Sequence, residues 1–175
     1  MQNSPTREFW DGVRAELPLQ LGVVPFGMIF GVLAMAAGMP FGASLGMSSV
    51  VFAGSAQFIT TQLYALDTPT LVILLTIFVV NLRHALYSAS VAPYLKPLKP
   101  AWKWLLAYLL TDEAYAVTIL HYQQTDRQAA RNTSTTLEVT SPPAADNRHW
   151  FFLGSGLTLW AFWQASTLVG ILLGA

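Results

Sequence analysis

Apolar runs separated by short polar turns set the rhythm of this chain. Five such runs cover residues 17–37, 41–66, 70–94, 103–121 and 150–174. Each is about 20 residues long, enough for a helix to cross a hydrocarbon core of roughly 30 Å. Gly38-Met-Pro40 closes the first run, Asp67-Thr-Pro69 the second, and a basic, proline-marked turn from Lys96 to Lys103 the third. The pattern predicts an all-α, polytopic integral membrane protein, a single transmembrane domain over residues 1–175 with about five membrane segments. Residues 1–16 are polar, with Phe9, Trp10 and Val13 at helical spacing, and predict an interfacial N-terminus. Residues 17–121 hold four segments, residues 122–149 a polar loop, and residues 150–174 the last segment. The first run is too long for a cleavable leader and predicts a signal anchor.

The runs are not alike. In the first, Pro25 predicts a kink, and Gly27 and Gly31 form a close-approach face. The second is rich in Gly, Ser, Thr and Ala around Phe52-Ala-Gly-Ser-Ala-Gln-Phe58. A lipid-facing span is richer in large aliphatics, so this one is expected to be broken or re-entrant and sheltered by protein. Gly54 and Ser55 can unwind a helix and bring backbone groups to a ligand, with Gln57 adding an amide. Tight packing through small residues explains the same string without a ligand.

Charge then changes the picture. Arg83 and His84 interrupt the third run, and Asp112 and Glu113 the fourth. If both runs are helices joined by the Lys96–Lys103 turn, they form an antiparallel hairpin. At 1.5 Å per residue each cluster lies roughly 14–16 Å from its helix end, near mid-membrane. Ionisable residues at that depth are costly and are functional candidates by default. Asn81, Tyr87, Ser88 and Ser90 accompany the cations, and Thr111, Tyr115 and Thr118 the anions. The predicted site therefore comprises Asn81, Arg83, Tyr87, Asp112, Glu113 and Tyr115, with Gly54, Ser55 and Gln57 from the second run. Arg83 suits a carboxylate, Asp112 or Glu113 an ammonium, and Phe52, Phe58 and the tyrosines an apolar side chain. His84 is the candidate for proton coupling, because its ordinary pKa lies near physiological pH. A structural ion pair that merely fixes the hairpin is the plainer alternative.

Composition narrows the remaining classes. The chain is 54% hydrophobic and 10% charged, with mean hydropathy +0.47, against about 25% charged for soluble domains. The formal net charge is zero, which argues against nucleic-acid binding. There are no cysteines, so disulfides and thiolate metal sites are excluded, and no metal or cofactor is expected. Gly154-Ser-Gly156 with His84 as base would suit an intramembrane hydrolase. However, Ser155 and His84 should differ in depth by about 10–15 Å, too far for a nucleophile and its base, so no catalytic residue is expected. Lys96, Lys99 and Lys103 should face the cytoplasm. With a re-entrant second segment the N-terminus then lies inside, and Arg127, Arg131 and Arg148 fall on the opposite side. If every segment spans, the N-terminus lies outside.

Five motifs occur in the order and spacing of one family. They are Phe9-Trp-Asp-Gly12 with Pro18, Pro25-Phe-Gly-Met-Ile-Phe-Gly31, Phe52–Phe58, Asn81-Leu-Arg-His-Ala-Leu-Tyr-Ser88 and Thr111-Asp-Glu-Ala-Tyr115. The chain resembles the AzlC family of bacterial permeases over residues 9 to about 120, and residues 150–174 fit that family's next segment. The resemblance implies a multi-pass secondary transporter of the bacterial inner membrane, exporting valine, leucine, isoleucine and in some members methionine. It also implies a small hydrophobic AzlD-like subunit as partner and further membrane segments beyond Ala175. A scaffold subunit that does not itself transport is the second reading.

Overall fold

Ser4 opens the first helix. Its hydroxyl accepts from the Arg7 N–H at 3.3 Å, and Pro5 fills the first position, where no N–H is needed. Helix α1 (Pro5–Glu16) passes through a 3-10 turn at Leu17–Leu19, which contains Pro18, into α2 (Gln20–Ala36). Gly38 then turns the chain with φ +75°. The computed structural model describes residues 4–135 and 147–175. Among them the remaining helices are α3 (Phe41–Val50), α4 (Gly54–Ala65), α5 (Thr70–Asn81), α6 (Arg83–Leu95), α7 (Pro100–Tyr108), α8 (Asp112–Thr135) and α9 (Arg148–Gly174). No strand occurs among the described residues.

Among the described residues, three rods are long and apolar enough to cross a membrane: Pro5–Ala36, Thr70–Leu95 and Arg148–Gly174. The first and last pack side by side over nearly their whole length, and glycines let them approach. A Cβ on Gly12 would collide with the Phe151 backbone, one on Gly27 with the Ser166 hydroxyl, and one on Gly170 with the Met28 backbone. Residue numbers rise together along both rods, so the two run parallel. The close approach expected at Gly27 and Gly31 is present, with α9 as its partner. Pro25 lies inside α2 without ending it.

The other helices come in two broken hairpins, and side-chain contacts fix their directions. Ser48 meets Thr167 and Ser49 meets Gln164, so α3 runs back alongside α9 toward its middle. After the break at residues 51–53, Phe58 of α4 packs edge-on against Phe30 of α2, and α4 returns to the end it came from. The same happens at the opposite end. Trp102 of α7 and Tyr122 of α8 both meet the start of α9, through the Trp150 ring and the Arg148 carbonyl. Both arms of α7–α8 therefore open at one end and meet at mid-depth.

Several sequence expectations change. Of the five expected segments, the first, third and last are rods long and apolar enough to span; the second is broken as expected, and the fourth is broken too. Helix α8 runs parallel to α6, pairing Arg83 with Asp112, Tyr87 with Tyr115 and Tyr94 with Tyr122. The antiparallel partner of α6 is the short α7 instead. Of the polar loop expected at 122–149, residues 122–135 are helical, as the end of α8; residues 136–146 lie outside the described residues. Residues 5–16 are helical and continuous with the first rod, with Glu8, Gly12 and Glu16 buried. Helix α5 carries exposed Leu71, Leu74 and Phe78, as a lipid-facing surface requires.

Candidate functional site

Three helix starts converge at mid-depth. Helix α4 begins after an extended Ala53 (φ −148°, ψ 99°) with no side-chain cap, so its first N–H groups are left for other acceptors. Helix α6 begins where Asn81 and Leu82 interrupt the third rod. Leu82 N–H donates to the Val79 carbonyl in a tighter turn, and the His84 ring lies 3.2 Å from the Asn81 carbonyl. Helix α8 begins at Thr111, whose hydroxyl accepts from the Ala114 N–H at 3.4 Å. Asp112 and Glu113 fill its first turn, where the helix dipole favours anions.

The starts surround a cavity of about 570 Å³, within the range of small-ligand sites, about 300–1,000 Å³. Its polar wall holds Gly54, Ser55, Arg83, His84, Thr111, Asp112 and Glu113. Its apolar wall is made by Val23, Phe26, Phe52, Phe58, Leu159 and Trp163. Arg83 spans the polar wall. Its Nη1 bonds Asp112 Oδ2 at 2.5 Å, and its Nη2 donates to Ser55 Oγ at 2.7 Å. One guanidinium thus ties α6 to both hairpin breaks. Arg83 Nε and Asp112 Oδ1 are buried without a protein partner. The pair thus leaves one donor and one acceptor unpaired among the described residues.

The cavity wall therefore contains Gly54, Ser55, Arg83, Asp112 and Glu113 from the predicted binding set, and His84. Four predicted residues stand behind it. Gln57 is fully buried; its Nε2 donates to the Val51 carbonyl at 2.6 Å, and its Oε1 accepts from Trp163 Nε1 at 3.2 Å. It braces the α3–α4 break. Asn81 supplies the carbonyl beside His84. Tyr87 and Tyr115 stack at 4.6 Å between α6 and α8, and the Tyr115 hydroxyl donates to Ser90 Oγ at 3.1 Å. Ser155 lies beside Thr118 at 3.4 Å and donates to the Phe152 carbonyl at 3.1 Å, with no contact to His84. Sequence reasoning missed Trp163 and Phe26, which look like ordinary span residues. It also missed buried Glu16 and Gln20; their i, i+4 spacing at the edge of an apolar run was the available signal.

The AzlC protein family matches residues 18–175. Among curated relatives, the inner membrane protein YgaZ of Escherichia coli is 25% identical over 171 residues, covering 95% of this chain. An uncharacterized membrane protein of Archaeoglobus fulgidus is 29% identical over 172 residues, covering 98% of the chain. One from Helicobacter pylori is 26% identical, covering 97%. The chain spans 61% of the length of the first and 65% of the other two. No solved structure matches it.

Proposed function

The chain belongs to the AzlC family, and from that premise we propose that it forms the substrate site of a secondary transporter exporting branched-chain amino acids. Valine, leucine and isoleucine are the substrates, with methionine as a close mimic. The observation that carries the reading is the half-used ion pair facing an apolar wall. A zwitterion's carboxylate can accept from Arg83 Nε and from the open start of α4, where N–H groups and the helix dipole favour an anion. Its ammonium can donate to Asp112 Oδ1, with Glu113 beside it. The aliphatic side chain then packs against Phe26, Phe58 and Trp163. The apolar wall of Val23, Phe26, Phe52, Phe58, Leu159 and Trp163 offers no charge to a substrate side chain, which suits aliphatic amino acids over acidic or basic ones. His84 stands on the polar wall, its ring beside the Asn81 carbonyl.

Membrane orientation follows from charge. Of the nine Lys and Arg residues, all but Arg83 lie toward the end where α1 begins and α6 finishes. By the positive-inside rule that end is cytoplasmic. The re-entry of α7–α8 removes the conflict over Arg127, Arg131 and Arg148, which now share the side of the Lys96–Lys103 turn. In this reading the protein works in the bacterial inner membrane with a small AzlD-like subunit. The test is efflux of labelled leucine, valine and methionine from preloaded cells, with and without that subunit. Efflux of these three above the background of cells lacking the protein is expected. Background rates for all three, with the protein present in the membrane beside its partner, would overturn it.

A further inference from the structure

A second acidic site lies behind the cavity. Glu8, Glu16 and Gln20 share one buried face of the first rod, at 3%, 0% and 5% exposure. Glu8 meets His121 of α8 at 2.9 Å. Helices α1 and α8 run antiparallel there. Eight residues onward along α1 is Glu16, and eight back along α8 is Glu113, each about 12 Å deeper at 1.5 Å per residue. The register therefore brings Glu16 toward Glu113, and the two carboxyls act on each other electrostatically.

Among the described residues, no fixed cation pairs with Glu16 or Glu113. Gln20 Nε2 reaches both the Glu16 carbonyl and Oε1 at 3.3 Å. Glu16 Oε2 and Gln20 Oε1 are buried without a partner. Helix α2 from Gln20 to Ala36 has no ionisable residue, and α9 has none beyond His149. On α8, Asp112 is held by Arg83 and His121 by Glu8. His84 shares the cavity with Glu113 but makes no ion pair with it. The exposed Arg7 and Arg14 lie against Asp11. Two carboxylates left together in a low-dielectric interior call for a mobile cation, and the most compact one is a proton shared between them.

We propose that Glu16, Gln20 and Glu113 form the proton-binding site of this carrier. Glu113 lines the cavity and Glu16 sits behind it, so Glu113 relays a proton from cavity water to the Glu16 carboxylate. Glu113 is the sequence neighbour of Asp112 in one helical turn. An ammonium drawn to that turn and a proton on Glu16–Glu113 compete for the same negative charge, which is the coupling an antiporter needs. The transport half of this proposal rests on the reading above; the proton-binding half does not.

The test is therefore split. Infrared difference spectra of the purified protein in detergent, recorded across a pH titration, report the carbonyl stretch of a protonated carboxylic acid. Wild type should show such a band, Glu16→Gln should lack it, and His84→Gln should keep it. Glu113→Gln should change the pH at which it disappears. Sodium chloride replacing potassium chloride should leave the band intact. A band that persists in Glu16→Gln, or one removed by sodium, overturns the proposal. In proteoliposomes, Glu16→Gln should lose pH-driven net flux of leucine and retain leucine counterflow. Equal loss of both would mean that Glu16 is structural. If wild type shows no counterflow, the carrier reading fails while the spectra still decide the proton site.

Discussion

The two broken hairpins solve one geometric problem with opposite chemistry. Helices α3–α4 break at residues 51–53 without a charge, and the break is held by Gln57 bridging the Val51 carbonyl and the Trp163 indole. Helices α7–α8 break at residues 109–111, and the next two residues are acidic. The start of α4 therefore presents an uncapped, positive helix end, whereas the start of α8 has its dipole answered by Asp112 and Glu113. Arg83 bridges the two through Ser55 and Asp112. A cavity between unlike helix ends is polar along one axis, and that axis is the one on which the proposed zwitterion is oriented.

The comparison breaks outright if α7–α8 crosses the membrane instead of returning. Because the chain has no cysteine, single substitutions label without background. Lys99→Cys and Gln128→Cys should react with an impermeant maleimide from the same side, and Leu66→Cys from the opposite side. The expected difference is all or none. Labelling of residues 99 and 128 from opposite sides would restore a spanning fourth segment and separate the two hairpins in kind.

Next in size is the bridge itself. Arg83→Ala removes the side chain that bonds Ser55 beside one break and Asp112 beside the other. Truncating one member of a hydrogen-bonded buried charge pair costs about 2–5 kcal/mol, so apparent affinity for leucine should fall about thirty-fold or more. The pair's side chains are about one-third exposed, so loss of membrane abundance should be smaller than for a fully enclosed pair. Arg83→Lys keeps the charge but loses the fork, and efflux should be only partly restored. Normal efflux from Arg83→Ala at equal abundance would take Arg83 out of the site.

The two hairpins also differ in how openly the sequence declares them. Around Phe52–Phe58, small and hydroxylated residues displace large aliphatics, so the break was readable. Residues 103–110 hold four leucines and a tryptophan, and the chain turns at Leu109–Thr111 without Gly or Pro. Its cause is tertiary: Leu106, Leu109 and Leu110 are buried in the core, and Thr111 caps α8 through its own hydroxyl. The Arg83–Asp112 pairing was legible all the same, because α7 alone supplies the antiparallel return that the depth argument needs. Glu16 was not, because a carboxylate beside an apolar run looks interfacial until α8 and α9 are packed against it.

A smaller effect tests the uncharged break from its ligand side. A Cβ on Gly54 would stand 3.0 Å from Cη2 of Trp163, on the cavity wall. Gly54→Ala needs a shift of a few tenths of an ångström, and Gly54→Val narrows the cavity further. Gly54→Val should raise the leucine concentration for half-maximal efflux several-fold, and Gly54→Ala less. Equal affinities for both variants and wild type would mean that substrate does not approach the start of α4.

The mildest change separates bracing from binding. Gln57→Leu keeps volume and removes the amide, leaving the Val51 carbonyl and the Trp163 indole N–H without their partner. An unsatisfied buried group costs about 1–3 kcal/mol, and each kcal/mol lowers the melting temperature of a chain this long by about 2–4 °C. The purified variant should therefore melt several degrees below wild type. Because Gln57 is behind the cavity wall, leucine affinity of the folded variant should stay within about threefold of wild type, under 1 kcal/mol. The opposite outcome, unchanged melting with a large loss of affinity, would move Gln57 into the substrate's own contacts. It would also make the uncharged break a recognition element in its own right, erasing the division of labour between the two hairpins.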